Sequence, residues 1–115
     1  MGTLYHNPRC SKSRQTLAIA VDSKAEFTLV EYLKTPLDEA QILDLISRLQ
    51  GNASSLVRVQ DADFPSTGVD VNTLHDPQVV ASLLASNPRL MQRPVYDNGS
   101  IAVITRPPEL INSLL

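Results

Sequence analysis

Residues 3 to 22 change from a strand-like run to a helical period across one short joint, and that change limits the folds open to the chain. Thr3 to His6 is β-prone, so residues 2–6 read as a first strand, and Asn7-Pro8 is a turn signal that halts it. Leu17, Ala20 and Val21 then recur at i, i+3 and i+4, which predicts a helix over about residues 12–22. Glu26 to Leu33 alternates and holds Phe27, Thr28, Val30 and Tyr32, so it reads as a second strand. A helix between two strands is a βαβ unit, which calls for a parallel pair and a right-handed crossover.

The joint carries the only cysteine, Cys10, within Pro8-Arg9-Cys10-Ser11-Lys12-Ser13. The first N–H groups of a helix lack intrahelical partners, and with the helix dipole they favour an anion. A thiolate is such an anion, and this placement takes a cysteine pKa from about 8.5 to roughly 3.5–7.5. His6, Arg9, Lys12 and Arg14 act in the same direction. The opposing reading makes Cys10 a small buried apolar residue. A polar, basic loop is not needed for that role.

Ser13 lies three residues after Cys10. Its hydroxyl either donates to the Cys10 sulfur or belongs to an ordinary helix-start serine. His6 is either a strand histidine satisfied by solvent or a group that tunes the thiol, by charge or through hydrogen bonds. With one cysteine there is no internal disulfide and no multi-cysteine zinc site, so disulfide chemistry needs a thiol from another molecule.

Further along, Asp38 is a helix N-cap, Ile42, Leu45, Ile46 and Leu49 form an apolar stripe, and Gly51 suits the helix end. Residues 52–57 allow a short helical turn, and residues 59–75 read mostly as loop. Asp61, Asp63 and Asp70 lack the calcium-loop pattern. Asp76-Pro77 starts a helix bearing Val79, Val80, Leu83 and Leu84, and Asn87-Pro88 stops it. Two β-prone runs then flank Asn98-Gly99, a hairpin signal. Arg106-Pro107-Pro108 opens a last helix with Leu110, Ile111, Leu114 and Leu115.

The predicted order is β-α-β, a helical block over about 38–90, then β-β-α. Neither outer part can bury a core alone, so both belong to one mixed sheet with the helical block inserted as a lobe, in one α/β domain over residues 1–115. A hydrophobic content of 43% with 19% charged residues fits a globular chain rather than a disordered one. The net charge of −2 gives no bulk attraction to nucleic acid. No 18-residue apolar run and no secretory leader is present, so no membrane association is expected and the cytoplasm is the expected location.

Three arginines stand out. Arg58 lies between Val57 and Val59, while Arg93 and Arg106 each precede a proline that fixes the local backbone. Arg106 also sits at a predicted helix start, where a cation needs an anionic counterpart. They read either as oxyanion ligands, for which arginine's planar fork is suited, or as surface charges. Arg9, Lys12, Arg14 and Arg89 read as solvated, and His75 as structural.

Tyr5-His6-Asn7-Pro8-Arg9-Cys10-Ser11-Lys12-Ser13-Arg14 resembles the signature of the glutathione- and glutaredoxin-linked arsenate reductases, the ArsC family of the thioredoxin-like superfamily. Glu31-Tyr32-Leu33, Thr35-Pro36, Leu56-Val57-Arg58, Arg93-Pro94 and Arg106-Pro107-Pro108-Glu109 support it, and the similarity spans about residues 3–115. The resemblance implies a thioredoxin-like fold with a helical insertion. It implies Cys10 as nucleophile, His6 as a group lowering the thiol pKa, and Arg58, Arg93 and Arg106 as oxyanion ligands. Pro94 would be the cis-proline that faces the active cysteine. The substrate would be arsenate, no cofactor would stay bound, and glutathione and glutaredoxin would supply the external thiols. A second reading stays open on the same resemblance: a thiol-stress interaction protein that regulates transcription by binding RNA polymerase, without arsenate turnover. A third is a reductase or thiol transferase for another substrate.

Overall fold

The computed structural model describes residues 2–115. Its first strand, β1 (Gly2–His6), leads into helix α1 (Ser11–Asp22) and strand β2 (Phe27–Glu31). Helices α2 (Glu39–Arg48) and α3 (Pro77–Ser86) follow, then strands β3 (Val95–Asp97) and β4 (Ala102–Ile104). The four strands form one sheet in the order β2-β1-β3-β4. The β1–β2 pair is parallel, with Leu4 opposite Leu29 and His6 opposite Glu31. The β1–β3 and β3–β4 pairs are antiparallel, with Tyr5 opposite Val95 and Val95 opposite Ile104. This is the expected mixed sheet with an inserted helical lobe.

Alternation along β1 divides the core. Leu4 points to one face, where it joins Ala20 of α1, Tyr96, Ile111 and Leu114. Tyr5 points to the other, against the larger cluster built from α2, α3 and the lobe. Each helix of the lobe starts where a capping side chain supplies an acceptor. Asp38 accepts from Gln41 N–H while the Gln41 side chain accepts from Asp38 N–H, a reciprocal capping box. Asp76 accepts from Gln78 N–H, with Pro77 in the first turn.

Strand directions bring four chain segments to one sheet end. The C-terminal end of β1 lies beside the C-terminal end of β2, the start of β3 and the end of β4. The loop bearing Cys10, the residue Tyr32, the Arg93-Pro94 step and Arg106 all follow or precede those strand ends. The lobe adds a fifth segment. Val57 bridges Met91 in antiparallel fashion, Arg58 N–H donates to Leu90 O at 2.8 Å, and Gln92 N–H donates to Leu56 O at 2.7 Å. Arg58 is thereby tied beside the run that ends in Arg93.

Two element ends depart from expectation. Helix α2 stops at Arg48, three residues before Gly51. Leu49 is extended and bridges Ala102, and Gln50 N–H donates to Ala102 O at 2.8 Å. Pairing with the sheet edge therefore takes the backbone out of the helix, and Gly51, at φ 129°, only turns the chain afterwards. The expected last helix is a 3₁₀ segment, Pro108–Ser113. Ile111 and Leu114 are buried at a spacing of three, which a three-residue turn aligns, while Leu110 and Leu115 stay exposed. Residues 59–75 are largely irregular, with short 3₁₀ turns at Pro65–Thr67 and Val71–Thr73 and anchors at buried Phe64 and Leu74. Among the described residues no helix is long and apolar enough to cross a membrane.

One ion pair links the lobe to the hairpin. Arg48 donates Nε to both oxygens of Asp97 at 3.1 Å and Nη2 to Oδ2 at 2.7 Å, with Asp97 only 7% exposed. Arg48→Leu leaves that carboxylate buried without its cation, with only the Gly99 N–H still donating to it. The expected loss is about 3 kcal/mol of stability in urea unfolding, whereas Asp44→Ala, on the exposed side of the same arginine, should leave the urea midpoint nearly unchanged.

Candidate active site

The joint after β1 is a knot of short hydrogen bonds. Cys10 N–H donates to Asn7 O at 3.0 Å, and Arg9 N–H donates to Asn7 Oδ1 at 3.0 Å. Asn7 N–H donates to Ser13 Oγ at 3.0 Å, and Ser13 Oγ lies 2.7 Å from His6 Nδ1. His6, Asn7 and Ser13 are all buried, so these polar groups need one another. Cys10 is the N-cap of α1, with extended backbone (φ −95°, ψ 124°), and its carbonyl accepts from Arg14 N–H at 3.0 Å.

Burial by itself pushes the Cys10 thiol pKa up. The Ser13 N–H, Arg93, the Lys12 N–H and Arg106 act against burial and together hold it below its ordinary value. No N–H of the first turn meets hydrogen-bond geometry at the sulfur, so the amides act as nearby dipoles. Arg106 is in direct contact: its Nη1 lies 3.7 Å from Sγ and donates to Arg93 O at 3.0 Å. Thr105 N–H donates to Pro94 O at 3.0 Å, and its hydroxyl lies 3.3 Å from that of Thr16 on α1. Both threonines are fully buried, which fixes Arg106 relative to the helix that carries Cys10. The Arg93–Pro94 peptide is cis, and so is Arg106–Pro107, which the sequence did not flag.

The structure brings Cys10, Arg93 and Arg106 together and places Arg58 one layer further out. Among the described residues no hydrogen bond joins Arg58 to Cys10; its Nη1 lies 3.4 Å from Asp61 Oδ2. Burial and then the neighbouring Arg93 press the Arg58 pKa down, and Asp61 opposes them. Arg58 lines a cavity of about 230 Å³ with Asn7, Arg9, Arg89 and Arg93, in which Asp61 is the only acid. It also walls a second cavity, of about 240 Å³, shared with Arg106 and Gln92. Arg9 and Arg89 thus contribute to the first cavity, although their sequence setting read as solvated; Arg89 is also paired with Asp63 at 3.0 Å. Cys10 is not among the lining residues of either cavity.

Two sequence-based roles change. The Ser13 hydroxyl does not reach the sulfur: it is taken up by Asn7 N–H and His6 Nδ1, and only the backbone N–H of Ser13 acts on Cys10. His6 does not act by charge. Burial lowers its pKa, with Arg14 pushing the same way and Glu31 opposing, so the ring favours its neutral form. A neutral ring keeps the 2.7 Å hydrogen bond between Nδ1 and Ser13 Oγ and so holds the joint in place.

Two residues were not singled out beforehand. Asn7 read only as a turn signal, yet its N–H, carbonyl and side chain each fix part of the Cys10 joint. Tyr32 read only as a strand aromatic, yet it is 1% exposed and its hydroxyl lacks a hydrogen-bond partner at the base of the site.

A mixed sheet with an inserted helical lobe, a cysteine at the N-cap position of the helix after β1 and a cis-proline just before β3 define a thioredoxin-like domain with one thiol. The sequence profile of the ArsC family matches residues 5–114. The chain is 37% identical over 109 residues to the protein named "Uncharacterized protein YfgD" of Escherichia coli K12, covering 94% of this chain and 91% of that one. It is 33% identical over 113 residues to an arsenate reductase of Neisseria meningitidis serogroup B, covering 97% and 96%. The solved arsenate reductase from Vibrio cholerae superposes with a TM-score of 0.89 at 26% identity, over 99% of this chain and 97% of that one. The chain belongs to the ArsC family.

The division of labour at Ser13 is open to measurement. Ser13→Ala removes the hydroxyl and keeps the N–H. The expected result is a loss of about 1–3 kcal/mol in unfolding, because Asn7 N–H and His6 lose a buried partner. The pH midpoint of Cys10 alkylation by iodoacetamide should move by less than about half a unit, that is by under roughly 0.7 kcal/mol. A shift of a full unit or more would return the hydroxyl to the sulfur.

Proposed function

We propose that the protein reduces arsenate to arsenite, with Cys10 as nucleophile and Arg58, Arg93 and Arg106 as the oxyanion ligands. The observation that carries this reading is the Arg106 Nη1 to Cys10 Sγ contact of 3.7 Å, made at a helix N-cap with Arg93 alongside. A guanidinium in contact with sulfur stabilises the thiolate and still offers its other N–H groups to an incoming oxygen. The cavity shared by Arg58 and Arg93 adjoins this contact and carries an excess of cations over its one acid. Membership of the ArsC family, and relatives named arsenate reductase, support the same substrate.

The proposed sequence begins when the Cys10 thiolate attacks arsenic(V) and an oxygen leaves as hydroxide, taking a proton to become water. The guanidiniums offset charge on the remaining oxygens as the sulfur–arsenic bond forms. Because the chain has one cysteine, the next thiol comes from outside. A glutathione thiolate attacks the Cys10 sulfur, and the sulfur–arsenic bond breaks with its electron pair left on arsenic. Arsenic departs as arsenite, and Cys10 is left as a mixed disulfide with glutathione. A glutaredoxin thiol then takes the glutathione moiety and returns Cys10 to the thiolate. Two thiols are oxidised for each arsenic reduced by two electrons.

A coupled assay with glutathione, glutaredoxin and arsenate tests the reading. Cys10→Ser is expected to abolish turnover while unfolding at nearly the wild-type urea midpoint. Arg106→Lys keeps a charge but loses the planar fork, and kcat/KM for arsenate should fall by roughly 10²-fold. Arsenate turnover by Cys10→Ser would overturn the mechanism. Retention of RNA polymerase subunits by a wild-type protein that does not turn over arsenate would favour the interaction reading.

A further inference from the structure

We propose that Tyr32 is a positioning residue for the site, a hydrogen-bond link that sets Arg93 for its anion and ties it to the Cys10 joint. This inference rests on the oxyanion reading above and specifies how one of its ligands is aimed.

Among the described residues two buried side-chain polar atoms lack a hydrogen-bond partner, Tyr32 Oη and Arg93 Nε. Leaving either group unmade costs about 1–3 kcal/mol, and native structures tolerate few such groups. Both belong to the same site. Tyr32 follows β2, at the same end of the sheet as the Cys10 joint and the start of β3. Its ring is part of the large core cluster with Leu90, Met91 and Val95, which flank Arg93. After burial, the groups that act most on its hydroxyl are Arg93, the Asn7 side chain, Arg58 and Cys10, in that order.

The two groups are complementary. Arg93 Nε–H can only donate, whereas a phenol oxygen both accepts and donates. Burial raises the Tyr32 pKa above its ordinary value, so the group is a neutral hydroxyl and keeps its proton. It can therefore accept from Arg93 Nε–H on one lone pair and from the Asn7 side-chain amide on the other; donation from Asn7 acts to lower the Tyr32 pKa, while the Asn7 side-chain oxygen takes the Arg9 N–H. The hydroxyl is shut away from solvent, so Tyr32 acts through Arg93 rather than by touching the substrate. Arg93 Nη1 makes one long contact, with Arg89 O at 3.4 Å. Anchoring at Nε would fix the plane of the guanidinium and so the direction of its terminal N–H groups. The Asn7–Ser13–His6 part of this chain is in place, and the two bonds through Tyr32 would extend it to Arg93, joining the proposed oxyanion ligand to the loop that presents the thiol.

Tyr32→Phe deletes this link and keeps the ring in the core. Two readouts are used, neither of which needs turnover. One is the pH midpoint of Cys10 alkylation by iodoacetamide; the other is protection of Cys10 from alkylation by arsenate. In Tyr32→Phe the midpoint should rise, because Arg93 helps hold the thiol pKa down. The arsenate concentration for half-protection should rise about tenfold, which corresponds to roughly 1.4 kcal/mol. In an Arg93→Ala background the same Tyr32→Phe change should move neither readout further, since the shared interaction is already gone. Equal shifts with and without Arg93, or no shift in either background, would overturn the proposal. If wild-type Cys10 is not protected by arsenate, the arsenate reading fails. The midpoint and its dependence on Arg93 then still decide the role of Tyr32.

Discussion

Negative charge on a partly buried sulfur has to be met locally, and the arrangement around Cys10 follows from that requirement. Burial alone would favour the neutral thiol. The helix N-terminus answers with the Ser13 and Lys12 N–H groups, and the two Arg-Pro steps that flank the β3–β4 hairpin answer with guanidiniums. The two sources differ in origin: the amides come from the first turn of α1, two and three residues on, while Arg106 is 96 residues away. The contact between them exists because β1 is a central strand, with β2 on one side and the β3–β4 hairpin on the other. An edge strand would have presented the thiol to one neighbour only.

The same requirement explains why the joint is so heavily pinned. A helix N-terminus stabilises a charge only over its first turn, so an ångström of drift in the loop would forfeit much of the effect. Asn7 fixes the loop from three directions, and the Ser13 hydroxyl, buried between Asn7 and His6, locks the helix to the strand end. His6 fits this structural duty better than an electrostatic one. A buried imidazole that gained a proton would add a third cation near the thiol at the cost of its own desolvation, and burial and Arg14 oppose that step.

Much of this was legible in the chain where the cause is local. Asp38 and Asp76 mark helix starts because a cap is chosen within three residues, and Asn7-Pro8 marks the strand end for the same reason. The mixed sheet and the inserted lobe followed from periodicity. What escaped has distant causes. The end of α2 is set by Ala102, some fifty residues on, through a sheet-edge pairing that no pattern near Gly51 announces. Spacing placed the Ser13 hydroxyl near Cys10, but its oxygen is occupied by the Asn7 N–H and by His6 Nδ1, partners on the preceding strand end that no local pattern announces. Arg58 read as a ligand equal to Arg93 and Arg106. In the fold it is held by the Val57–Met91 bridge at the lobe side, one layer away from the sulfur.

That layering gives the lobe a function beyond covering a sheet face. The sheet alone supplies a thiol with two cations on it, which stabilises sulfur but leaves little to surround an oxyanion. The lobe supplies the opposite wall, with Arg58 and Arg89 facing Arg9 across a cavity whose only acid, Asp61, is already engaged with Arg58. Tyr32 sits where the two halves meet, its ring packed into the lobe's core and its hydroxyl among the groups at the end of the sheet. Sheet and lobe therefore contribute different parts of the site: the sheet and α1 favour the charged form of Cys10, and the lobe adds Arg58 and Arg89 to a cation-rich cavity that Arg93 also lines. Under the proposed function, cations divided in this way would draw an anion into the seam, where its oxygens would compete with Asp61 for Arg58 and with Asp63 for Arg89.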